Sequence, residues 1–281
     1  MHLLDKNAIS LYLQASGEKS QDFVSVLLKR LKDIRMRLFK KIIHQIIDKF
    51  QMPNSTRSNE STEVDGSNEQ RPKASSARLT AQDAMNAIYI DYEGNMKLPP
   101  TLLGWYVDGE YMASIIEPLF ETCENRYKAK GIYVEDHTKL ALRLIQQAED
   151  EGRLIVSWSE HDYLLMSKVL KPKDFDRLKC VYRNAIRTAR PWYRQKYGPL
   201  PEKASLDFFE DLLGFYVPDR FGLGLVGKAL GLIRSQIQDG RSYGDLTNAA
   251  KDGWTTVVRH NKLDLQGMSH VLEAITAGKK S

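Results

Sequence analysis

The sequence predicts an α/β fold in which a mixed sheet is flanked by helices and preceded by an N-terminal helical extension. A strong hairpin signal, Asp108-Gly109, joins two apolar, β-favouring runs. After the hairpin, short apolar runs alternate with segments of helical periodicity, which is typical of a mixed sheet covered by helices. With 42% hydrophobic and 27% charged residues among 281, the chain can bury a sizeable core, so fibrous and wholly disordered proteins are excluded.

Composition also excludes several other classes of protein. No uncharged apolar run approaches the roughly 18 residues that a membrane span needs. Residues 1–14 carry Asp5 and Lys6 and lack the layout of a secretory signal. Two cysteines, Cys123 and Cys180, are too few for a disulfide scaffold or a cysteine-rich zinc module. We therefore expect a soluble, cytoplasmic protein.

The net charge of +5 is concentrated in residues 1–50, which hold ten Lys or Arg against five Asp or Glu. Within residues 22–50 apolar side chains recur every three or four positions, which predicts a basic amphipathic helix. Such charge asymmetry indicates either a polyanionic partner, nucleic acid or an anionic surface, or simply a solvated helix face. A basic helix alone is a weak membrane signal, so we expect its apolar stripe to pack on the protein's core rather than on a membrane surface.

Three regions follow from these composition changes. Residues 1–50 form the basic helical extension. Residues 51–79 are rich in Pro, Asn, Ser, Thr, Glu and Arg and have almost no sizeable apolar side chains, which predicts a disordered linker or insertion. Residues 80–281 form the α/β domain.

Local patterns predict the elements of residues 80–281 in order. Residues 87–90 form a first strand that ends at Asp91, and the runs 101–107 and 110–116 flank the hairpin. Asp136 can cap a helix that runs to about Glu151, and residues 154–156 form a buried strand. Further helices are expected over residues 163–169, 175–189, from about 223, and 263–275. Residues 222–227 match G-x-G-x-x-G but lack a preceding strand, so we interpret them as a turn that opens a helix rather than as a nucleotide site.

Asp91 and Glu93 are the first candidates for chemistry. They lie two residues apart on the first strand, so their side chains project from the same face. The pair indicates either a Mg²⁺ or Mn²⁺ site, because hard cations prefer oxygen ligands, or two surface acids at a strand end. Asp162 follows the buried strand and Asp264 lies at the start of the C-terminal helix, and either alone is typical of an acid stabilised by a helix dipole.

The order of these acids resembles the ribonuclease-H-like DEDD exonuclease superfamily. That family has an Asp-x-Glu closing the first strand, an Asp after a later strand and a last Asp on a C-terminal helix. The hairpin after Glu93 is similar to that fold's opening of three antiparallel strands. Residues 260–275 resemble the ending of a bacterial branch of uncharacterised predicted nucleases, in which a Tyr-Asn pair precedes the last Asp. The resemblance covers about residues 85–277.

The resemblance implies a ribonuclease-H-like fold and a metal-dependent nuclease that hydrolyses phosphodiester bonds, expected to be a 3′-5′ exonuclease. The alternative is a non-catalytic nucleic-acid-binding or scaffold protein on the same fold. By the resemblance, Asp91, Glu93, Asp162 and Asp264 would hold two Mg²⁺ or Mn²⁺ ions that activate water and stabilise the leaving oxygen. His260 lies four residues before Asp264, near where the family has a water-orienting Tyr or His. It is either a general base or a histidine that caps the start of the helix.

A basic run is the candidate for nucleic-acid contact, whether DNA or RNA. Five cations recur at spacings of four, four, three and four, which predicts one helical stripe: Lys179, Arg183, Arg187, Arg190 and Arg194. Trp192, Tyr193 and Tyr197 interleave aromatic rings with these charges, as single-strand binders do. The stripe is either a solvated face or a nucleic-acid-binding surface, and the nearby acids favour the second interpretation.

Overall fold

The structure is a computed structural model that describes residues 78–94, 98–124, 132–202, 204–222 and 224–277. All of these lie in the second of the two units into which the chain divides, Gln70–Ser281. The basic helix expected in residues 1–50 lies outside the described residues, as does nearly all of the linker expected over residues 51–79.

Six strands of the described residues form one mixed sheet in the order β4-β3-β2-β1-β5-β6. The strands are β1 Ile88–Glu93, β2 Leu102–Val107, β3 Glu110–Ile115, β4 Ile132–Val134, β5 Ile155–Ser157 and β6 Tyr182–Asn184. Strands β1, β2 and β3 form an antiparallel meander. On the other side of β1, β5 runs parallel to β1 and β6 runs parallel to β5, while β4 extends the far edge parallel to β3.

The turn between β2 and β3 confirms the hairpin prediction. Asp108 and Gly109 both adopt positive φ, 51° and 85°, and Val107 pairs with Glu110 across the turn. Two-residue hairpin turns of this kind need positive φ at both central positions to match the twist of the strands, and Asp-Gly meets that need at little cost.

Helices cover the sheet on both faces, so the expected mixed sheet flanked by helices is confirmed. The helices are α1 Ala81–Asn86, α2 His137–Asp150, α3 Glu160–Ser167, α4 Pro172–Val181, α5 Ile186–Tyr197, α6 Leu206–Leu213, α7 Leu225–Gln238 and α8 Asn248–Ala277. Asp136 caps α2 as predicted, because its carboxylate accepts the backbone N–H of Lys139 at 2.9 Å. Gly224, with φ of 82°, opens α7, which agrees with the interpretation of the glycine-rich turn.

The helix predicted over residues 175–189 is wrong. Helix α4 ends at Val181, strand β6 follows, and α5 starts at Ile186. Residues 182–184 pair with the three residues of β5, and the Tyr182 ring is fully buried in the core between helices and sheet. Pairing with a distant strand therefore overrides the local helical spacing.

The C-terminal helix starts fifteen residues earlier than predicted, at Asn248 rather than near residue 263. Its first turns bury Trp254 and Val257 in the core against α7. Asp264 consequently lies in the interior of a long helix and not at its start. None of the described helices combines the length and apolar composition needed to cross a membrane. Cys123 and Cys180 are free thiols.

Candidate metal centre

The carboxyl-terminal half of β1 supplies two acids to the centre. Asp91 pairs with Gly104 of β2, and Glu93 pairs with Leu102. The Glu93 side chain is buried, and its Oε1 atom has no hydrogen-bond partner among the described residues. A buried carboxylate oxygen without a donor is unfavourable unless a proton or a cation lies against it.

Asp162 reaches the same region from α3. Ser159 caps this helix, and its Oγ donates to Asp162 Oδ2 at 3.2 Å while accepting the backbone N–H of His161. The backbone of Tyr92 also favours the ionised form of Asp162, although burial raises the pKa of this carboxyl group overall. Asp162 is therefore buried beside β1, as parallel pairing of β5 with β1 requires of the segment that follows β5.

The electrostatics show that four predicted acids are neighbours. Burial raises the pKa of Asp91 well above its usual value, and the charges of Asp264 and then Asp162 raise it further. Burial raises the pKa of Glu93, with Asp91 and Asp264 adding to the effect. Burial likewise raises the pKa of Asp162. The pKa of Asp264 rises to about 8, chiefly through burial and then through Asp207 and Asp162.

This arrangement is a cluster of neighbouring carboxylates rather than a finished coordination shell. Among the described residues, no three His, Cys, Asp or Glu side chains are already spaced as a ligand set for a metal ion. The donor chemistry nevertheless fits a hard divalent cation, because every contributed group is a carboxylate and Glu93 has an orphan oxygen. A cation would also offset the burial, and for Asp91, Glu93 and Asp264 the like-charge repulsion, that raise these pKa values.

Asn261 holds the cluster in place and was not among the site residues predicted from the sequence. Its fully buried amide donates from Nδ2 to the backbone oxygen of Asp91 at 3.0 Å and to Asp91 Oδ2 at 2.9 Å. Its Oδ1 accepts from the Tyr111 hydroxyl at 3.0 Å. Helix α8 approaches this closely because Gly104 has no side chain: a Cβ there would lie 1.7 Å from Asn261 Oδ1. The available signal was the Tyr-Asn pair of the resemblance, matched here by His260-Asn261.

His260 lies in the interior of α8, so its interpretation as a cap at the start of the helix is wrong. Its Nδ1 lies 2.6 Å from the carbonyl oxygen of Phe221, and since a carbonyl only accepts, Nδ1–H is the donor. The second ring nitrogen, Nε2, faces Asp264 Oδ2 at 3.5 Å. The hydrogen bond at Nδ1 therefore fixes the His260 ring, and Nε2 faces the carboxylate cluster.

Two further acids on α6 border the cluster and were also missed. Glu210 is buried, its Oε1 has no partner among the described residues, and that oxygen occupies the place where a Cβ on Gly267 would stand. Burial, and next the charge of Asp264, raise the pKa of Glu210 to about 8. The charge of Asp207 contributes, after burial, to the raised pKa of Asp264. No spacing pattern links α6 to the other acids, so only the folded chain reveals them.

The predicted basic stripe does not exist as one surface. Lys179 lies on α4 and pairs with Asp176 at 2.8 Å, and Arg183 lies on β6 and donates to backbone carbonyl oxygens. The other three cations lie on α5 and line a groove of about 670 Å³: Arg187, Arg190 and Arg194.

This arginine groove adjoins the carboxylate cluster. It is also lined by Arg78, which the sequence analysis missed, and by Ser159, whose Oγ contacts the Asp162 carboxylate. Arg187 is engaged by Glu160 at 2.5 Å. Arg190 and Arg194 are exposed and have no ion-pair partner among the described residues. A negatively charged chain lying in the groove would therefore pass beside Asp162.

Comparison with protein-family models, with curated proteins and with solved structures finds no match for this chain.

Proposed function

We propose that the protein is a metal-dependent nuclease that hydrolyses phosphodiester bonds, with two Mg²⁺ or Mn²⁺ ions held by Asp91, Glu93, Asp162 and Asp264. The observation that carries the proposal is the meeting of these four acids, which come from β1, α3 and α8, in one largely buried cluster. Carboxylates buried together are costly unless a cation neutralises them, so such a cluster suits a metal-binding role.

The sheet supports a ribonuclease-H-like interpretation of the fold. Three antiparallel strands come first, and the next strands extend the sheet from the other side of β1, parallel to it. The acids lie toward the carboxyl end of β1, on the helix after β5 and on the last helix. This is the order that the resemblance to DEDD exonucleases implies, and by that resemblance we propose attack from a 3′ end.

Different residues of the chain have different roles in the proposed reaction. Two ions bound between the carboxylates would activate a water molecule and stabilise the leaving oxygen. Asn261 orients the Asp91 carboxylate through two hydrogen bonds. The hydrogen bond from His260 Nδ1–H to Phe221 leaves Nε2 as the nitrogen that accepts a proton from water at the cluster.

The arginine groove supports nucleic acid as the substrate. Arg78, Arg190 and Arg194 present guanidinium groups, which bind phosphate by paired hydrogen bonds, along a path that ends beside Ser159 and Asp162. The groove that we propose for phosphate binding thus adjoins the acids that we propose as metal ligands.

A second candidate is a non-catalytic nucleic-acid-binding protein on the same fold. The observation that favours it is the lack, among the described residues, of a metal-ligand set at coordination spacing. Both candidate functions assign nucleic-acid binding to the arginine groove, but only the nuclease hydrolyses the bound strand.

Metal-dependent cleavage separates these candidates. The purified 281-residue chain with Mg²⁺ or Mn²⁺ should shorten 5′-labelled DNA or RNA oligonucleotides stepwise, and Asp91→Asn should abolish this shortening. Asp252→Asn, an exposed acid on the same helix as Asp264, is the matched control and should keep full activity. If wild-type protein binds the oligonucleotides but cleaves none of them with either metal, the non-catalytic function replaces the nuclease.

The groove is tested by the salt dependence of oligonucleotide binding in EDTA. Arg190→Ala should weaken binding and reduce the slope of log K against log salt by about 0.7, the value for one phosphate contact on a single strand. Lys179→Ala, which removes a cation already paired with Asp176, should change neither quantity. Equal effects of the two substitutions would contradict a specific role for the groove.

A further inference from the structure

A second pocket, of about 480 Å³, lies on a different face of α8 from the carboxylate cluster. The helix residues that line it recur every three or four positions and so share one face: Thr255, Val258, Arg259, Lys262, Leu263 and Gln266. Asn261 and Asp264 fall outside that face. The facing wall comes from residues 218–221 and from Tyr111 and Ile132.

Among the described residues that line this pocket, three are cations and none is an acid. Arg220, Arg259 and Lys262 are exposed, and none of them forms an ion pair or a side-chain hydrogen bond with another described residue. Elsewhere in the described chain, arginines commonly pair with acids, as Arg234 does with Glu117 and Arg177 with Glu149. Three neighbouring cations without a counter-charge create a positive potential that attracts an anion.

Aromatic and apolar groups accompany the cations. The guanidinium groups of Arg220 and Arg259 lie 4.7 and 5.7 Å from the Phe221 ring centroid, and the Lys262 ammonium lies 5.8 Å from that of Tyr111. These contacts hold the cations at the pocket. Ile132, Pro218, Val258 and Leu263 provide an apolar wall. The lining therefore matches a ligand with an anionic group on a flat, weakly polar body.

We infer that this pocket binds a nucleotide, with its phosphate on Arg220, Arg259 and Lys262 and its base against the apolar wall. The volume lies within the range of about 300–1,000 Å³ that small-molecule sites occupy. The nucleotide is either free or one residue of a nucleic-acid strand, since both present the same phosphate and base. The inference does not depend on the proposed nuclease function, because binding requires neither metal nor turnover.

The pocket also adjoins the residues that orient the carboxylate cluster. Phe221 accepts the hydrogen bond from His260, and Tyr111 donates to Asn261. A ligand in the pocket would thus contact two residues, Phe221 and Tyr111, whose hydrogen-bond partners His260 and Asn261 face Asp264 and Asp91.

Titration calorimetry of the full chain with adenosine 5′-monophosphate in EDTA tests the inference. We expect saturable binding with one nucleotide per chain, and at least about tenfold weaker binding of adenosine alone and of inorganic phosphate alone. Arg259→Ala and Lys262→Ala should each weaken nucleotide binding by about tenfold or more, the loss expected for one charge-assisted hydrogen bond. Arg241→Ala, an exposed arginine outside the pocket, is the matched control and should leave the affinity unchanged.

Further titrations exclude other binding sites and distinguish a free nucleotide from one residue of a strand. If Arg190→Ala weakens nucleotide binding as much as Arg259→Ala does, the binding belongs to the arginine groove and the inference is overturned. Equal affinity for phosphate and nucleotide, no binding at millimolar nucleotide, or displacement by an acidic peptide would also overturn it. Competition by a 5′-phosphorylated oligothymidylate supports a strand residue as the ligand, and binding without such competition supports a free nucleotide. Because Arg259 and Lys262 are exposed, unchanged melting curves should accompany both substitutions.

Discussion

The carboxylate cluster should make the metal-free protein less stable as the pH rises. Burial and the charges of Asp207 and Asp162 raise the pKa of Asp264 to about 8. In the unfolded chain the same carboxyl titrates near about 3.9. Between these values the folded protein keeps a proton that the unfolded chain releases, so the free energy of unfolding falls with rising pH and levels off above the folded pKa.

The size of the stability change follows from the difference between the folded and unfolded pKa values of Asp264. At pH 7 the unfolded Asp264 carboxyl is about three pH units above its pKa, so keeping the folded group protonated costs about 4 kcal/mol. Asp264→Asn removes this cost, and its amide can donate to His260 Nε2, which now faces Asp264 Oδ2. Because the amide does not reproduce every contact of the carboxyl group, we expect a gain of about 2–4 kcal/mol, or about 5–15 °C in melting temperature.

Scanning calorimetry in EDTA across pH 5–8.5 measures this directly. The wild-type melting temperature should fall across the range, and Asp264→Asn should melt higher at pH 7 with a flatter profile. At pH 5 the advantage should shrink to about 1.5 kcal/mol or less. Asp252→Asn is the control on the same helix and should follow the wild-type profile. Added Mn²⁺ should stabilise the wild type and should have little effect on Asp264→Asn.

Two outcomes would refute this reasoning. One is an unchanged or lower melting temperature for Asp264→Asn in EDTA at pH 7. The other is a wild-type stability that rises between pH 5 and 8, which would mean that the buried acids are ionised and already stabilised by the protein itself.

Two further substitutions test the packing around the site and the fold. Gly104→Ala places a Cβ 1.7 Å from Asn261 Oδ1, so it should lower the free energy of unfolding in urea by about 1–3 kcal/mol and weaken Mn²⁺ binding. The control is Gly231→Ala, where a Cβ meets nothing within 4 Å, and this variant should be as stable as the wild type or slightly more stable. Equal stabilities of the two variants would contradict the close approach of α8 to β2. Arg234→Ala leaves Glu117 buried without its cation and should cost about 3–5 kcal/mol, and a urea midpoint close to that of wild type would contradict burial of the pair.

The elements that sequence alone predicted are those whose signals are local. Asp108-Gly109 defines its turn through its own backbone preferences, and Asp136 defines the start of α2 through a hydrogen bond three residues away. Strand β6 was missed because its three residues are a strand only through pairing with β5, while their spacing continues that of a helix.

The early start of α8 was missed for a related reason. Gly253 and the polar residues around it lower helix propensity, yet a Cβ at Gly253 would lie 3.1 Å from the Cβ of Ala229, so the glycine permits close packing with α7. Tertiary contact here outweighs the local preference.

The residues of the candidate site likewise fall into those that the sequence predicted and those that only the fold reveals. The order of Asp91, Glu93, Asp162 and Asp264 along the chain was visible through the family resemblance, and the structure brings these acids together. Glu210 was not predicted, because a single buried polar residue leaves no periodic pattern. The Tyr-Asn pair of the resemblance indicated the position of Asn261, but its hydrogen bonds depend on what the fold packs against it.

Anomalous diffraction from crystals soaked in Mn²⁺ tests the metal centre most directly. The account predicts two peaks about 3.5–4 Å apart, ligated by carboxylate oxygens of Asp91, Glu93, Asp162 and Asp264. Full soaking with ordered carboxylates and no peak between them, or manganese bound only elsewhere on the chain, would contradict it.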